Sequence, residues 1–358
     1  MAEGGDIFIE GVAMEISWAD ARRSLPELIF SSTTRAIDDA GRGWEGIESV
    51  VLAAHDLVDG RSLSSMVTAP AAGAYLRDEV RYGDDGAGAF AAAVNRLEAG
   101  ECERTIVSAW GRASEHDVEG VSRALFDPVF FRPLGIEELH VSAMNAQRWL
   151  IDGGDVASVA EANQRREMMR RANPRALKEG GRQSVPSYPL EASHLPRWAD
   201  VTVTMVLSRR PASVRLRGIG LSSEPYWPGD RRLARADALR MAAQRALSEA
   251  QMTVDQIDLF EVDGLTIFDE GIALEAIGLA EKGGGLRRLA DDPRCNPSGG
   301  GASGYCAPAM GLIRLAEATL QLQGRAGGNQ QGTPRVAFAS GSSIIAGQTQ
   351  TAVIVEAV

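Results

Sequence analysis

A chain of 358 residues with 44% hydrophobic and 24% charged residues has material for a large buried core, as one big domain or two fused ones. A net charge of −11 argues against nucleic acid or an anionic membrane surface as the main partner. Three cysteines, Cys102, Cys295 and Cys306, show neither C-x-x-C nor Cys/His metal spacing, so neither a disulfide framework nor a zinc site is expected.

The acidic start, Met1 to Asp6, lacks an apolar run, so no signal peptide is expected. No stretch approaches membrane-spanning length, and a cytoplasmic location is expected. Lysine is limited to Lys178 and Lys282, which leaves arginine as the cation. Arginine suits phosphates, although a GC-rich coding sequence gives the same bias.

A helical pattern ends at Arg35-Ala36-Ile37-Asp38-Asp39-Ala40, and a strand-like run covers 47–53. Gly86-Ala87-Gly88 opens a helix over 89–99, which feeds a strand at 105–109. A middle segment, about 112–200, follows. It is mostly helical over 145–172, is stopped by Asn173-Pro174, and continues as a Pro-rich loop over 173–199. A β-branched strand at 201–207 closes this half.

The second half repeats the first. A helix over 235–250 ends at Arg245-Ala246-Leu247-Ser248-Glu249-Ala250, and a strand covers 257–263. Twelve residues separate Arg35 from Ile47, and twelve separate Arg245 from Ile257. A Gly-rich segment, Asn296-Pro297-Ser298-Gly299-Gly300-Gly301-Ala302-Ser303-Gly304-Tyr305-Cys306-Ala307-Pro308-Ala309-Met310-Gly311, opens a helix over 312–322. Strands at 335–339 and 351–355 finish the chain. Apolar strands alternating with amphipathic helices predict an α/β fold. The expected domains are two pseudo-repeated halves, 1–215 and 216–358, stacked as α/β/α/β/α.

Five of these segments, in order, resemble the thiolase superfamily, specifically its lipid-transfer-protein-associated branch. They are the helical stretch 142–176, Tyr188-Pro189-Leu190 with 199–204, the stretch 260–279, the Asn296 loop, and Gly341-Ser342-Ser343 at the start of the last Gly-rich turn. The resemblance covers nearly the whole chain and implies the thiolase fold and acyl-CoA ligands.

The departures lie in the chemistry. The family's nucleophilic cysteine opens the helix after the third strand, and that position falls at Asp85, with Asp84 or Gly83 as alternatives if the loop differs in length. The family's two active-site histidines fall at Val262 and Tyr305, and its second cysteine at Ser340 or Gly341. Acyl transfer needs a thiolate at a helix N-terminus. A carboxylate there is stabilised but cannot form the thioester.

Tyr305 is then a candidate acid or base, or a filler of the space left by histidine. The chain is similar here to steroid side-chain-cleaving aldolases, where tyrosines are implicated in retro-aldol cleavage. Tyr226 is a candidate partner, or an aromatic packing anchor. Asp263 polarises a phenol or a substrate hydroxyl, or caps a strand end. Cys306, in the proline position of the family's G-H-P, is a nucleophile or a packed small residue. His55, His116, His140 and His194 have packed or solvated roles by default.

The resemblance implies a pocket containing Asp85, Gly86, Val262, Cys306, Gly341, Ser342 and Ser343. Backbone N–H groups of 341–343, with those near Asp85 and Gly86, would hold an enolate oxygen. The leading expectation is a carbon–carbon lyase acting on a β-hydroxyacyl-CoA, within lipid metabolism and steroid degradation. Tyr305 or Tyr226 is its expected base. The alternatives are a catalytically silent subunit of a heteromeric enzyme and an acyltransferase with a relocated nucleophile. Coenzyme A enters as part of the substrate, with no covalently bound cofactor and no metal expected. The expected partners are a second copy of the chain and a small OB-fold, zinc-ribbon protein.

Overall fold

The computed structural model describes residues 6–60, 63 and 65–358. The acidic start up to Gly5 lies outside the described residues. Nine strands are present among the described residues: β1 (Phe8–Ser17), β2 (Ser49–Ala53), β3 (Asp78–Tyr82), β4 (Arg104–Arg112), β5 (Asp200–Ser208), β6 (Val214–Ser223), β7 (Leu259–Glu261), β8 (Val336–Ser342) and β9 (Thr349–Ala357). Their order is β3-β2-β4-β5-β1-β6-β9-β8-β7.

That order is a mirror. The first half runs β3-β2-β4-β5-β1 and the second runs back as β6-β9-β8-β7. The seam is two residue pairs, Phe8 with Arg215 and Ile9 with Val214. The counterpart of β3 in the second half is reduced to one parallel bridge between Phe260 and Cys295. The segment 209–213 carries the chain from β5 to β6.

Parallel neighbours need helical crossovers. Helix Leu25–Asp39 packs on β1 and β5, and helix Asp237–Ala250 packs on β6 and β9. Helices Gly86–Glu98 and Met310–Leu322 pack on each other and on strands of both halves. Every residue of Met310–Leu322 is buried, Arg314 and Glu317 included. A helix buried all round belongs in a central layer. The expected α/β/α/β/α layering follows.

The duplication extends to local defects. The β1–β5 register shifts between Ile9 and Gly11, and the β6–β9 register shifts between Leu216 and Gly218. A Cβ on Gly11 would overlap the Ala36 carbonyl oxygen, and one on Gly218 would overlap that of Ala246. Each outer helix thus rests on a bulged glycine. Ala36 and Ala246 are the residues that the repeat pairs in sequence.

The middle segment differs from expectation. The helix expected over 145–172 is two helices, Glu138–Ile151 and Ala157–Ala172. Gly153 sits between them at φ 89°, where a helix cannot continue. The second of these helices places Arg166 under the Gly-rich loop, and the central helix adds Arg314. Arg166 meets Glu270 at 2.9 Å, and Arg314 meets Glu261 at 3.2 Å, all four side chains being buried. Glu270 accepts from Gly301 N–H at 3.0 Å, and Glu261 accepts from Ser298 N–H at 2.9 Å. These paired charges fix the loop, because removing one partner would strand the other in a dry interior.

Candidate active site

The Gly-rich loop is clamped to the end of β7 by Asn296, at φ 43°. Its amide accepts from Val262 N–H at 2.7 Å and donates to Val262 C=O at 3.1 Å. The same amide donates to buried Glu270 at 3.0 Å. The far end of the loop brings Tyr305 and Cys306 into the wall of a cavity. Tyr305 is held by its backbone: its N–H donates to Arg197 C=O at 2.8 Å, and its C=O accepts from Ala199 N–H at 3.1 Å. The Tyr305 ring stands edge-on to Trp198, with centroids 5.4 Å apart, and is 5% exposed.

Tyr305 and Asp263 line one cavity of about 120 Å³, together with Glu138, Asp269, His116 and Arg231. The Tyr305 hydroxyl has no hydrogen-bond partner among the described residues. Burial holds its phenol well above the usual range, and the charges of Asp263, Glu138, Asp85 and Asp269 push the same way. Tyr305 is therefore a neutral proton donor at ordinary pH, not a phenolate.

Asp263 accepts from the Ser342 hydroxyl at 2.5 Å, and its own N–H donates to Ser340 Oγ at 3.1 Å. Burial raises its carboxyl to about 6, against the opposing pull of the Ser342 hydroxyl. Glu138 accepts from Ala346 N–H at 2.6 Å, and burial raises it to about 8. Two carboxyls on one cavity thus differ in protonation near neutral pH, an arrangement suited to acid and base roles.

The remaining expected residues divide. Cys306, Ser342 and Ser343 line the cavity with Tyr305 and Asp263, whereas Asp85, Gly86, Val262 and Gly341 are not among its lining residues. Asp85 is the N-cap of helix Gly86–Glu98 and accepts from Ala87 N–H at 2.8 Å and Gly311 N–H at 2.9 Å. It thereby occupies the Ala87 N–H, one of the donors near Gly86 that were expected to hold an enolate. Burial, with the charge of Asp263 beside it, raises the Asp85 carboxyl well above its usual range. The final turn is engaged as well. Ser343 N–H donates to Thr349 C=O at 2.8 Å, and Ile344 N–H donates to Asp84 at 2.8 Å.

Tyr226 is not among the cavity residues. It packs between Phe126, Phe131 and Trp227, with centroids 6.1 to 6.3 Å away, and its hydroxyl bonds Asp127. The Cys306 sulfur packs on Gly111, where a Cβ would overlap it, and burial raises its thiol far above the usual range. Such a thiol stays protonated and is a poor nucleophile.

Sequence reasoning misses Glu138, Asp269 and Arg231. Asp269 carries one readable signal, a capping box with Thr266, whose hydroxyl donates to it at 2.9 Å. His116, expected to be packed or solvated, lines the cavity. Its Nδ1–H donates to Arg112 C=O at 2.9 Å, and burial keeps the ring neutral. His55, His140 and His194 accept from nearby backbone N–H groups as local caps.

Residues 229–356 match the family described as thiolase C-terminal domain-like. An acetyl-CoA acetyltransferase from Methanothermobacter thermautotrophicus is 38% identical over 110 residues, which is 28% of this chain and 29% of that protein. The chain thus matches less than a third of this relative's length. Among solved structures, an Ltp2-ChsH2(DUF35) aldolase superposes with a TM-score of 0.79 at 17% identity, covering 99% of this chain and 98% of that one. A monomeric SCP2-thiolase-like protein from Mycobacterium smegmatis gives 0.70 at 16% identity, covering 99% and 78%. Human mitochondrial 3-ketoacyl-CoA thiolase gives 0.73 at 13%, covering 99% and 100%. These findings bear out the thiolase fold and the superfamily resemblance. Among the described residues, no helix is long and apolar enough to cross a membrane.

Proposed function

We propose that this chain, a thiolase fold with a carboxyl in place of the acyl-accepting thiol, is a carbon–carbon lyase that cleaves a β-hydroxyacyl-CoA without an acyl-enzyme. The observation that carries this reading is the shared cavity of Tyr305 and Asp263, with the Asp85 carboxyl buried and bound by two backbone N–H groups. The aldolase among the structural neighbours supports the reaction class.

In this reading Asp263 takes the proton of the β-hydroxyl. The bond between Cα and Cβ breaks, its electron pair moves onto the thioester as an enolate, and a ketone or aldehyde leaves. Tyr305 protonates Cα and regains its proton from Asp263 through the cavity. With the Ser343 and Ala87 N–H groups engaged, we assign the enolate oxygen to side-chain donors. Protonated Glu138 and the amide of Asn145 are the candidates, the latter having its oxygen engaged by Ala234 N–H at 3.1 Å. The direction of the reaction, cleavage or condensation, follows the supply of substrate.

A silent subunit would have no use for an open cavity with convergent polar groups, which favours the catalytic reading. Resemblance to steroid side-chain-cleaving aldolases supports a lipid acyl group. The pairing of that neighbour with ChsH2(DUF35) supports a heteromeric partner here, for which the small OB-fold, zinc-ribbon protein is the candidate. The test is product analysis with β-hydroxyacyl-CoA substrates, with and without such a partner. Release of a carbonyl compound and a shortened acyl-CoA is expected. Thiol-dependent acyl transfer instead, or no turnover with any partner present, would refute the proposal.

A further inference from the structure

Arg231 lines the cavity, half-buried, in the segment between β6 and helix Asp237–Ala250. One of its guanidinium nitrogens donates to Ala346 C=O. A guanidinium has five N–H donors, so others remain for a ligand. The adjacent Arg232 is engaged by Asp237 at 2.7 Å, whereas Arg231 makes no ion pair among the described residues.

Three carboxyls surround this cation: Glu138, Glu224 and Asp269. The Arg231 charge pulls each of them down, and burial outweighs that pull in all three. None of the three is within ion-pair distance of Arg231, so the guanidinium faces the cavity without a carboxylate bound to it. A half-buried cation without an ion partner gains from an anionic ligand.

We infer that Arg231 is an anion-receiving subsite for a carboxylate carried on the acyl part of the ligand. This rests on the acyl-CoA reading above. Arg231 lines the same cavity as Tyr305 and Asp263, so an anion it receives shares the cavity of the reacting centre. The phosphates of coenzyme A lie a whole pantetheine arm from the thioester, whereas Arg231 shares the cavity of the residues proposed to react with it. A single carboxylate fits a guanidinium through two parallel hydrogen bonds.

The test measures binding of succinyl-, glutaryl- and adipyl-CoA, of their uncharged butanoyl, pentanoyl and hexanoyl counterparts, and of free coenzyme A. The proteins are the full wild-type chain, Arg231→Gln and Arg231→Lys. In the wild type, at least one dicarboxylic thioester is expected to bind roughly ten-fold or more tighter than its uncharged counterpart. Arg231→Gln should abolish that preference without weakening the uncharged thioesters, and Arg231→Lys should keep part of it. Equal binding within every pair in the wild type overturns the inference alone. Equal weakening of every coenzyme A compound by Arg231→Gln makes the arginine a phosphate anchor and also overturns it. No binding of any of these compounds overturns the acyl-CoA reading and this inference together.

Discussion

The Asp85 carboxyl accepts a hydrogen bond from Gly311 N–H at 2.9 Å, joining the N-terminal ends of the two central helices. Its other oxygen accepts from Ala87 N–H at 2.8 Å. Asp85→Ala leaves two buried donors without acceptors, at a cost of about 2–4 kcal/mol. Urea unfolding of the variant checks this, and an unchanged midpoint would remove Asp85 from its bridging role.

Tyr305→Phe separates chemistry from packing. The ring keeps its edge contact with Trp198, and the lost hydroxyl has no partner among the described residues. Stability should change by less than about 1 kcal/mol, because no buried hydrogen bond is broken. The rate should fall about 10²- to 10⁴-fold if the phenol transfers a proton. A fully active Tyr305→Phe would exclude the phenol from the mechanism. Tyr226→Phe, altered outside the cavity, should leave the rate nearly unchanged.

A base must be ionised to act, and Asp263 ionises at about 6. The profile of kcat/KM should therefore rise with pH through about 6, and fall again above about 8 if protonated Glu138 holds the enolate. Asp263→Asn should abolish the ascending limb along with most of the activity. An ascending limb that persists in Asp263→Asn would assign the base elsewhere, with His116 the next residue to replace.

Glu138, Glu261 and Asp263 stand at about 8, about 7 and about 6, each raised above its ordinary value by burial. The folded chain keeps protons there that the unfolded chain releases, so stability declines as pH rises through that window. Thermal midpoints should fall between about pH 5 and about pH 8, and Glu138→Gln should flatten the upper part of the decline. A midpoint that climbs across the window contradicts the burial of these carboxyls.

Cys306→Ala should retain activity, since the thiol is packed on Gly111 and held protonated. Activity that disappears with Cys306 in a stably folded variant would revive the relocated nucleophile.

Much of the fold is legible in the sequence because helices and buried strands declare themselves by apolar period. The strand expected at 105–109 is the centre of β4, and the helix expected at 312–322 is the central helix less two residues. The strands β1 and β6 escape such a reading. Each is interrupted by a bulge and a glycine that serve the outer helix, which breaks the two-residue alternation. β3 hides for another reason: Asp78-Glu79-Val80-Arg81-Tyr82 is a partly exposed edge strand with a polar sequence. At the site, Tyr305 and Asp263 are legible by position in a known pattern. Glu138 and Arg231 are not, because the cavity assembles them from the middle segment and from the loop after β6, which no local spacing links.

The bridge made by Asp85 also bears on what position 85 tolerates. Gly311 and Gly341 have no room for a Cβ because the Asp85 carboxyl fills that space. Replacing Asp85 by cysteine would remove the acceptor from Gly311 N–H and leave a smaller side chain in the space between Gly311 and Gly341. Position 85 is therefore held by hydrogen bonding and by shape at once, and a change there loosens the junction of the two central helices.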